Sequence, residues 1–179
     1  PSGALVPGGM PGGSSSGGAV CVGLGITDAA IGTDTGGSLR IPAAANGIWG
    51  FKPSQGLIDD TGVHPLAPTY DVPGPMAGDP ALLRRMAEIM AGRGLDAPDS
   101  GPLRLAVPEG AFTNDLSPDV AALFEAETAR IAELGHTLEP VDMADIGAAI
   151  TLNRTIVAVE AHRIYAADLE RLETVGDPR

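Results

Sequence analysis

Lysine, cysteine and aromatic side chains are nearly missing from these 179 residues. There is one lysine, Lys52, one cysteine, Cys21, and one tryptophan, Trp49, and aromatics make up 3% of the chain. A lone cysteine closes no internal disulfide, which points to a reducing, cytoplasmic compartment. Cys21 stands between Val20 and Val22, the setting of a buried structural thiol rather than a reactive one. With so few rings, the core falls to Ala, Leu, Ile and Val. Basic residues are scarce too, 11 against 23 acidic, for a net charge of −12. That balance argues against nucleic acid or an anionic membrane surface as partner. No apolar run is long enough to span a bilayer and no signal-peptide pattern is visible. The chain starts with Pro rather than Met and reads as a piece of a longer product.

What is present suits a folded protein. Hydrophobic residues are 44% of the chain, enough for a real core at this length. Residues 1–58 hold Asp28 and Asp34 against Arg40 and Lys52, so the whole excess of negative charge lies beyond them. The second half is therefore a solvated acidic surface. Strand and helix patterns alternate, which argues for an α/β layer architecture. Small apolar residues predict a buried helix over 17–25, then a strand over 27–33. A short helix follows over 41–46, with Pro42 in its first turn and Gly47 as its stop, and a buried strand over 48–51. Residues 53–79, rich in Pro and Gly, read as a surface loop, with Asp71 and His64 as loop chemistry.

Asp79-Pro80 caps a helix with Leu82, Leu83, Met86, Ile89 and Met90 on one face, ending at Gly92. A strand follows over 103–108. Ser117-Pro118 opens a helix that turns Val120, Leu123, Phe124, Ile131 and Leu134 inward and stops at Gly135. Thr137–Val141 is a strand, and a long helix runs from Ala144 to Leu172. His136 and His162 read as surface or satisfied histidines, since no Cys/His/carboxylate spacing supports a metal site.

The chemistry gathers in residues 12–42. Two small-residue loops, Gly12–Gly18 and Gly32–Ser38, bracket a short apolar stretch. Glycine lets backbone N–H groups approach a ligand closely. Backbone donors near a serine are what acyl transfer needs, a nucleophile with an oxyanion hole. GGSSSGG by itself also reads as a flexible linker. GTDTGGSLRIP argues against that, because it leads straight into the apolar, Trp-bearing segment Ile48–Phe51. Asp34 and Arg40 flank Ser38 and read either as substrate-binding charges or, preferably, as a salt bridge stapling the turn.

PGGSSSGGA, GTDTGGSLRIPAA and GIWGFKPSQG together resemble the signature region of the amidase signature family, serine hydrolases with a Ser–cis-Ser–Lys triad. The resemblance is specific over residues 11–56 and pattern-level beyond them. It implies a mixed β-sheet flanked by helices on both faces, with residues 1–179 as the central part of a single domain. It puts the nucleophile on Ser38 and the bridging serine on Ser14, with Ser15 in support. A cis peptide bond is expected at Gly13–Ser14 or Ser14–Ser15, and the resemblance places it immediately before Ser15. The implied oxyanion hole is the N–H groups of Thr35, Gly36, Gly37 and Ser38. The family's lysine lies upstream of the Gly/Ser loop, before residue 1, so the 179 residues alone are expected to be inactive. Lys52 matches a lysine that is not the family's base, and a structural role is expected for it.

The implied activity is hydrolysis of a carboxylic amide to acid and ammonia or amine through a Ser38 acyl-enzyme, without cofactor or metal. The partner is then a small-molecule amide, and a homodimer stays open. Two alternatives stand beside it: a glutaminase-type subunit of an amidotransferase, and an amidase-like binding module that has lost catalysis.

Overall fold

The computed structural model describes residues 8–96, 101–110, 112–144, 146–169 and 171. The chain divides into two units, one of residues 1–96 with 154–179, the other of residues 97–153.

In the first unit, helix α1 (Ser16–Gly23) leads to strand β1 (Ala29–Asp34), helix α2 (Arg40–Asn46) and the short strand β2 (Trp49–Gly50). Strand β3 (Val72–Ala77) and helix α3 (Pro80–Ala91) follow. The three strands form one antiparallel sheet in the order β1-β3-β2. β1 and β3 pair over their full length, from Ala29 opposite Ala77 to Asp34 opposite Val72.

β3 overturns the loop reading of residues 53–79, because it is the central strand and all of it is buried. Pro73, Gly74 and Pro75 disguise it. The Phe51 N–H donates to the Pro75 carbonyl at 3.0 Å. In an antiparallel ladder alternate residues turn their backbone groups to opposite neighbours, so the odd positions of β3 face β2. Both prolines fall on that side, where pairing is only two residues long and an absent donor is tolerated. Val72, Gly74 and Met76 keep their donors for β1.

Gly32 and Gly74 lie opposite each other across β1 and β3. A Cβ added to Gly32 would stand 3.0 Å from Leu39 Cδ2, and one added to Gly74 would stand 2.8 Å from Leu39 Cδ1. Leu39 therefore sits over the glycine pair, fully buried with Ala19 and Met76, and Ala30 and Ile48 pack around this core. The residue that follows Ser38 is thus anchored in the centre of the sheet. A Gly74→Ala side chain would also collide with the Phe51 carbonyl oxygen, a backbone atom that cannot swing aside. Overpacking of this kind is expected to destabilise by about 1–3 kcal/mol. Thermal denaturation of the intact variant checks this, and an unchanged Tm would show that β3 and residue 51 separate freely.

The helices match their expected positions more closely than their expected faces. α1 and α2 begin within a residue of the predicted starts, and α1 stops at Gly23, two residues early. The carboxylate of Asp79 accepts the Leu82 N–H at 2.8 Å and Pro80 opens α3, while left-handed Gly47 and Gly92 close α2 and α3. Ile89, expected inward, is 64% exposed, whereas Ala87 is buried. At about 100° per residue Ile89 lies some 200° around the helix from Ala87, on the far side. The strand at 48–51 shrinks to two residues, and Trp49 is 55% exposed rather than buried. β2 pairs with β3 on one side only, which leaves it an edge of this sheet.

In the second unit, strands β4 (Arg104–Glu109) and β5 (Thr137–Asp142) pair in parallel, with helix α4 (Pro118–Glu133) as the crossover between them. His136 accepts the Leu103 N–H at Nδ1, 3.1 Å away, so its ring is satisfied. Val120, Leu123, Phe124 and Leu134 are exposed rather than inward. Two strands are too narrow a floor for a sixteen-residue helix. Helix α5 (Ile146–Tyr165) and a 3₁₀ turn (Ala166–Asp168) follow, against the continuous helix expected to Leu172, which lies outside the described residues. Among the described residues no helix is long and apolar enough to cross a membrane.

The part of α5 in the first unit holds the loop before β3. Its Tyr165 hydroxyl donates to the Pro65 carbonyl at 2.6 Å. The Glu160 carboxylate accepts the Thr69 N–H at 3.0 Å and also the Thr69 hydroxyl. His64 meets the Tyr165 ring edge-on, 5.5 Å between centroids.

Candidate active site

β1 ends at Asp34, and from there the chain folds around that residue's carboxylate. Asp34 is fully buried. Its Oδ1 accepts the Gly37 N–H at 2.7 Å and Arg40 Nη2 at 3.0 Å. Its Oδ2 accepts Arg40 Nε at 2.9 Å and the Leu39 N–H at 3.3 Å. The turn thus closes on its own first residue and delivers the chain into α2. Arg40 lies outside this knot, 56% exposed, with a two-pronged ion pair to the carboxylate below. Burial pushes the Asp34 carboxyl up, but the hydrogen bonds from Arg40, Gly37 and Leu39 outweigh it and hold it below the ordinary aspartate range. Arg40 is raised in turn, by its hydrogen bond to Asp34.

This geometry sorts the four expected oxyanion donors. Gly37 has φ near +124°, and a Cβ there would lie 2.6 Å from Ile41 Cδ1, so the position demands glycine. Its N–H is committed to Asp34. In this arrangement Gly37 serves the fold of the turn. The N–H groups of Thr35, Gly36 and Ser38 make no hydrogen bond among the described residues. Thr35 and Ser38 are half-buried and Gly36 is exposed.

The Gly/Ser run is not a linker. The Ser15 N–H donates to the Ser38 carbonyl at 3.1 Å, which joins the two small-residue loops backbone to backbone. The Ser15 hydroxyl donates to the Thr33 carbonyl at 3.3 Å and accepts the Thr33 N–H at 3.4 Å. Ser16 Oγ donates to the Gly12 carbonyl at 2.6 Å as α1 starts. Ser14, exposed, stands next to Ser15 with its peptide bond to Gly13 cis. The cis bond is thus the first of the two expected, before Ser14, rather than the preferred one before Ser15.

Two residues lie outside the expected constellation, for opposite reasons. Lys52 donates from Nζ to the Pro53 carbonyl at 2.9 Å, a bond to its own neighbour. Asp71, read as loop chemistry, instead reaches the signature turn. Its Oδ1 accepts the Thr35 hydroxyl at 2.5 Å, and its Oδ2 accepts the N–H groups of Leu66 and Ala67 at 2.7 and 2.9 Å. Thr35 and Asp71 are 36 positions apart, and no local spacing announces such a pair. A cavity of about 660 Å³ lies behind Asp71, between residues 55–60, 68, 71–73 and the end of α3, and is lined by neither serine. Among the described residues no cluster of His, Cys, Asp and Glu could hold a metal ion.

The family model Amidase matches residues 4–177. A glutamyl-tRNA(Gln) amidotransferase subunit from Thiobacillus denitrificans is 35% identical over 93% of this chain. The match covers 37% of that protein, so the chain spans little more than a third of its relative's length. A crystal structure of an amidase superposes over 98% of this chain and 40% of its own, with TM-score 0.92 and 32% identity. A glutamyl-tRNA(Gln) amidotransferase subunit from Thermotoga maritima superposes over 93% of this chain and 41% of its own, with TM-score 0.77 and 29% identity.

Proposed function

This chain belongs to the Amidase family, and we propose that it carries the nucleophilic part of an amide-hydrolysing site, as the central part of one amidase domain. Ser38 Oγ attacks the amide carbonyl. Its proton passes to Ser14, whose own proton goes to a lysine outside residues 1–179. The oxyanion is received by the N–H groups of Thr35, Gly36 and Ser38. Collapse breaks the C–N bond, and the amine leaves with the proton returned through Ser14. Water then attacks the Ser38 ester by the same route and frees the acid. No cofactor enters the sequence of steps.

The observation that carries this reading is the Asp34-centred turn. It uses the Gly37 N–H for the fold and leaves its neighbours' donors in place beside Ser38. Fixed donors of this kind stabilise a developing oxyanion without reorganising at the moment of reaction. The test is covalent labelling of the intact protein with a fluorophosphonate, followed by peptide mapping. Label is expected on Ser38, and much slower labelling in Ser14→Ala. Label on another residue, or none, overturns the assignment and favours an amidase-like binding module. The kinship to amidotransferase subunits supports a second reading, a glutaminase-type subunit. Ammonia release from glutamine only when partner chains are present, with no turnover of simple aliphatic or aryl amides, would select it.

A further inference from the structure

We propose that Asp71 is a positioning residue for the oxyanion turn, acting through the Thr35 hydroxyl. The proposal rests on the reading of Ser38 as nucleophile. Asp34 fixes the turn from below through Gly37 and Leu39. It makes no bond to Thr35 or Gly36, whose N–H groups are two of the three remaining donors. Among the described residues, the side-chain tie on that half of the turn is the Thr35 hydroxyl to Asp71 Oδ1. Asp71 suits the role because its second oxygen is itself locked by the Leu66 and Ala67 N–H groups.

Those two residues belong to the loop that Glu160 and Tyr165 of α5 grip at Thr69 and Pro65. β3 begins one residue later, at Val72, with its backbone paired to Asp34 itself. The carboxylate is therefore fixed at Oδ2, in a loop anchored at both sides, and presents Oδ1 to Thr35. A turn residue tied at its side chain keeps its own N–H aimed. A displacement of about 1 Å in such a group lowers rate by around a hundredfold.

The experiment measures fluorophosphonate labelling of the intact protein, split into the saturation constant KI and the limiting rate kinact. In this reaction the Ser38 O–P bond forms, the P–F bond breaks and fluoride leaves, while the phosphoryl oxygen takes the oxyanion position. Thr35→Val removes the hydroxyl at nearly constant shape. It is expected to lower kinact by about 10–100-fold with KI and Tm little changed. Thr35→Ser restores the hydroxyl and should recover most of that loss. Asp71→Ala removes the acceptor that holds the Thr35 hydroxyl. It should fall as Thr35→Val does, and the double variant should be no slower than either single one. Normal kinact in Thr35→Val overturns the role while leaving Ser38 in place. A loss that Thr35→Ser does not relieve, or that follows a fall in Tm, shows a merely structural contact and overturns it too. Absence of label at Ser38 in the unmodified protein is a different result, which removes the nucleophile assignment and this proposal with it.

Discussion

Ser38→Ala is expected to lower amide turnover by at least about 10⁴-fold while leaving the fold where it was. The size follows from chemistry. Without Oγ no acyl-enzyme can form, and removal of the nucleophile in other serine hydrolases leaves only what binding and oxyanion donors supply, about 10³–10⁴ over water. The unchanged fold follows from how Ser38 is held. Its carbonyl, not its side chain, receives the Ser15 N–H. Its neighbour Leu39 is clamped over Gly32 and Gly74, and the turn around it closes on Asp34. Deleting one half-buried hydroxyl disturbs none of these, so stability should change by no more than about 0.5 kcal/mol. The measurement is kcat/KM for the best member of a panel of aliphatic and aryl amides, beside Tm, on the intact protein. A variant that keeps more than about a tenth of kcat/KM would remove Ser38 from the mechanism.

The site was legible in the sequence where its residues are neighbours, and illegible where they are not. Asp34, Gly37, Leu39 and Arg40 lie within one turn around Ser38, and their bonds run to the Asp34 carboxylate, so a short motif holds nearly the whole arrangement. The pairing of Ser15 with Ser38 links residues far apart in the chain, but it joins two loops that were each recognisable. For Asp71, nothing in the local sequence announced its partner. Its hold on Thr35 exists only because β3 runs antiparallel to β1 and brings Val72 opposite Asp34.

That strand was itself concealed, because prolines and glycines are read as breakers and nothing local shows that Pro73 and Pro75 both turn to the side with little pairing. The commitment of the Gly37 N–H to Asp34 was equally invisible. A run of backbone donors looks equivalent in sequence until one of them is found closing the turn. Side-chain exposure at Trp49 and along α4 failed for another reason. Periodicity tells which residues share a face, and only the neighbouring elements decide whether that face is covered.

Asp34→Ala is expected to be the most damaging single change to the fold of the first unit, by about 3–5 kcal/mol. The carboxylate is fully buried and accepts the N–H groups of Gly37 and Leu39, both themselves buried. Alanine leaves those donors without an acceptor, at about 1–3 kcal/mol each, and opens a void under the turn. Arg40 adds less, because its side chain is 56% exposed and regains water once released. Asp34→Asn should fall between: one amide oxygen can still serve Gly37, but the N–H₂ then faces the Leu39 N–H and Arg40 Nε, donors against a donor.

The same carboxylate gives the loss a pH signature. Its folded pKa is depressed, since the bonds from Arg40, Gly37 and Leu39 overcome the effect of burial. Its contribution is therefore complete above the ordinary aspartate pKa and is lost as pH falls through the lower, folded value. Stability of the intact protein, followed by denaturant unfolding, should decline in acid below that range. The Asp34→Asn protein should lack this part of the decline. Equal acid sensitivity in the two proteins, or an Asp34→Ala protein as stable as the parent at neutral pH, would show that the turn is held by something other than its first residue.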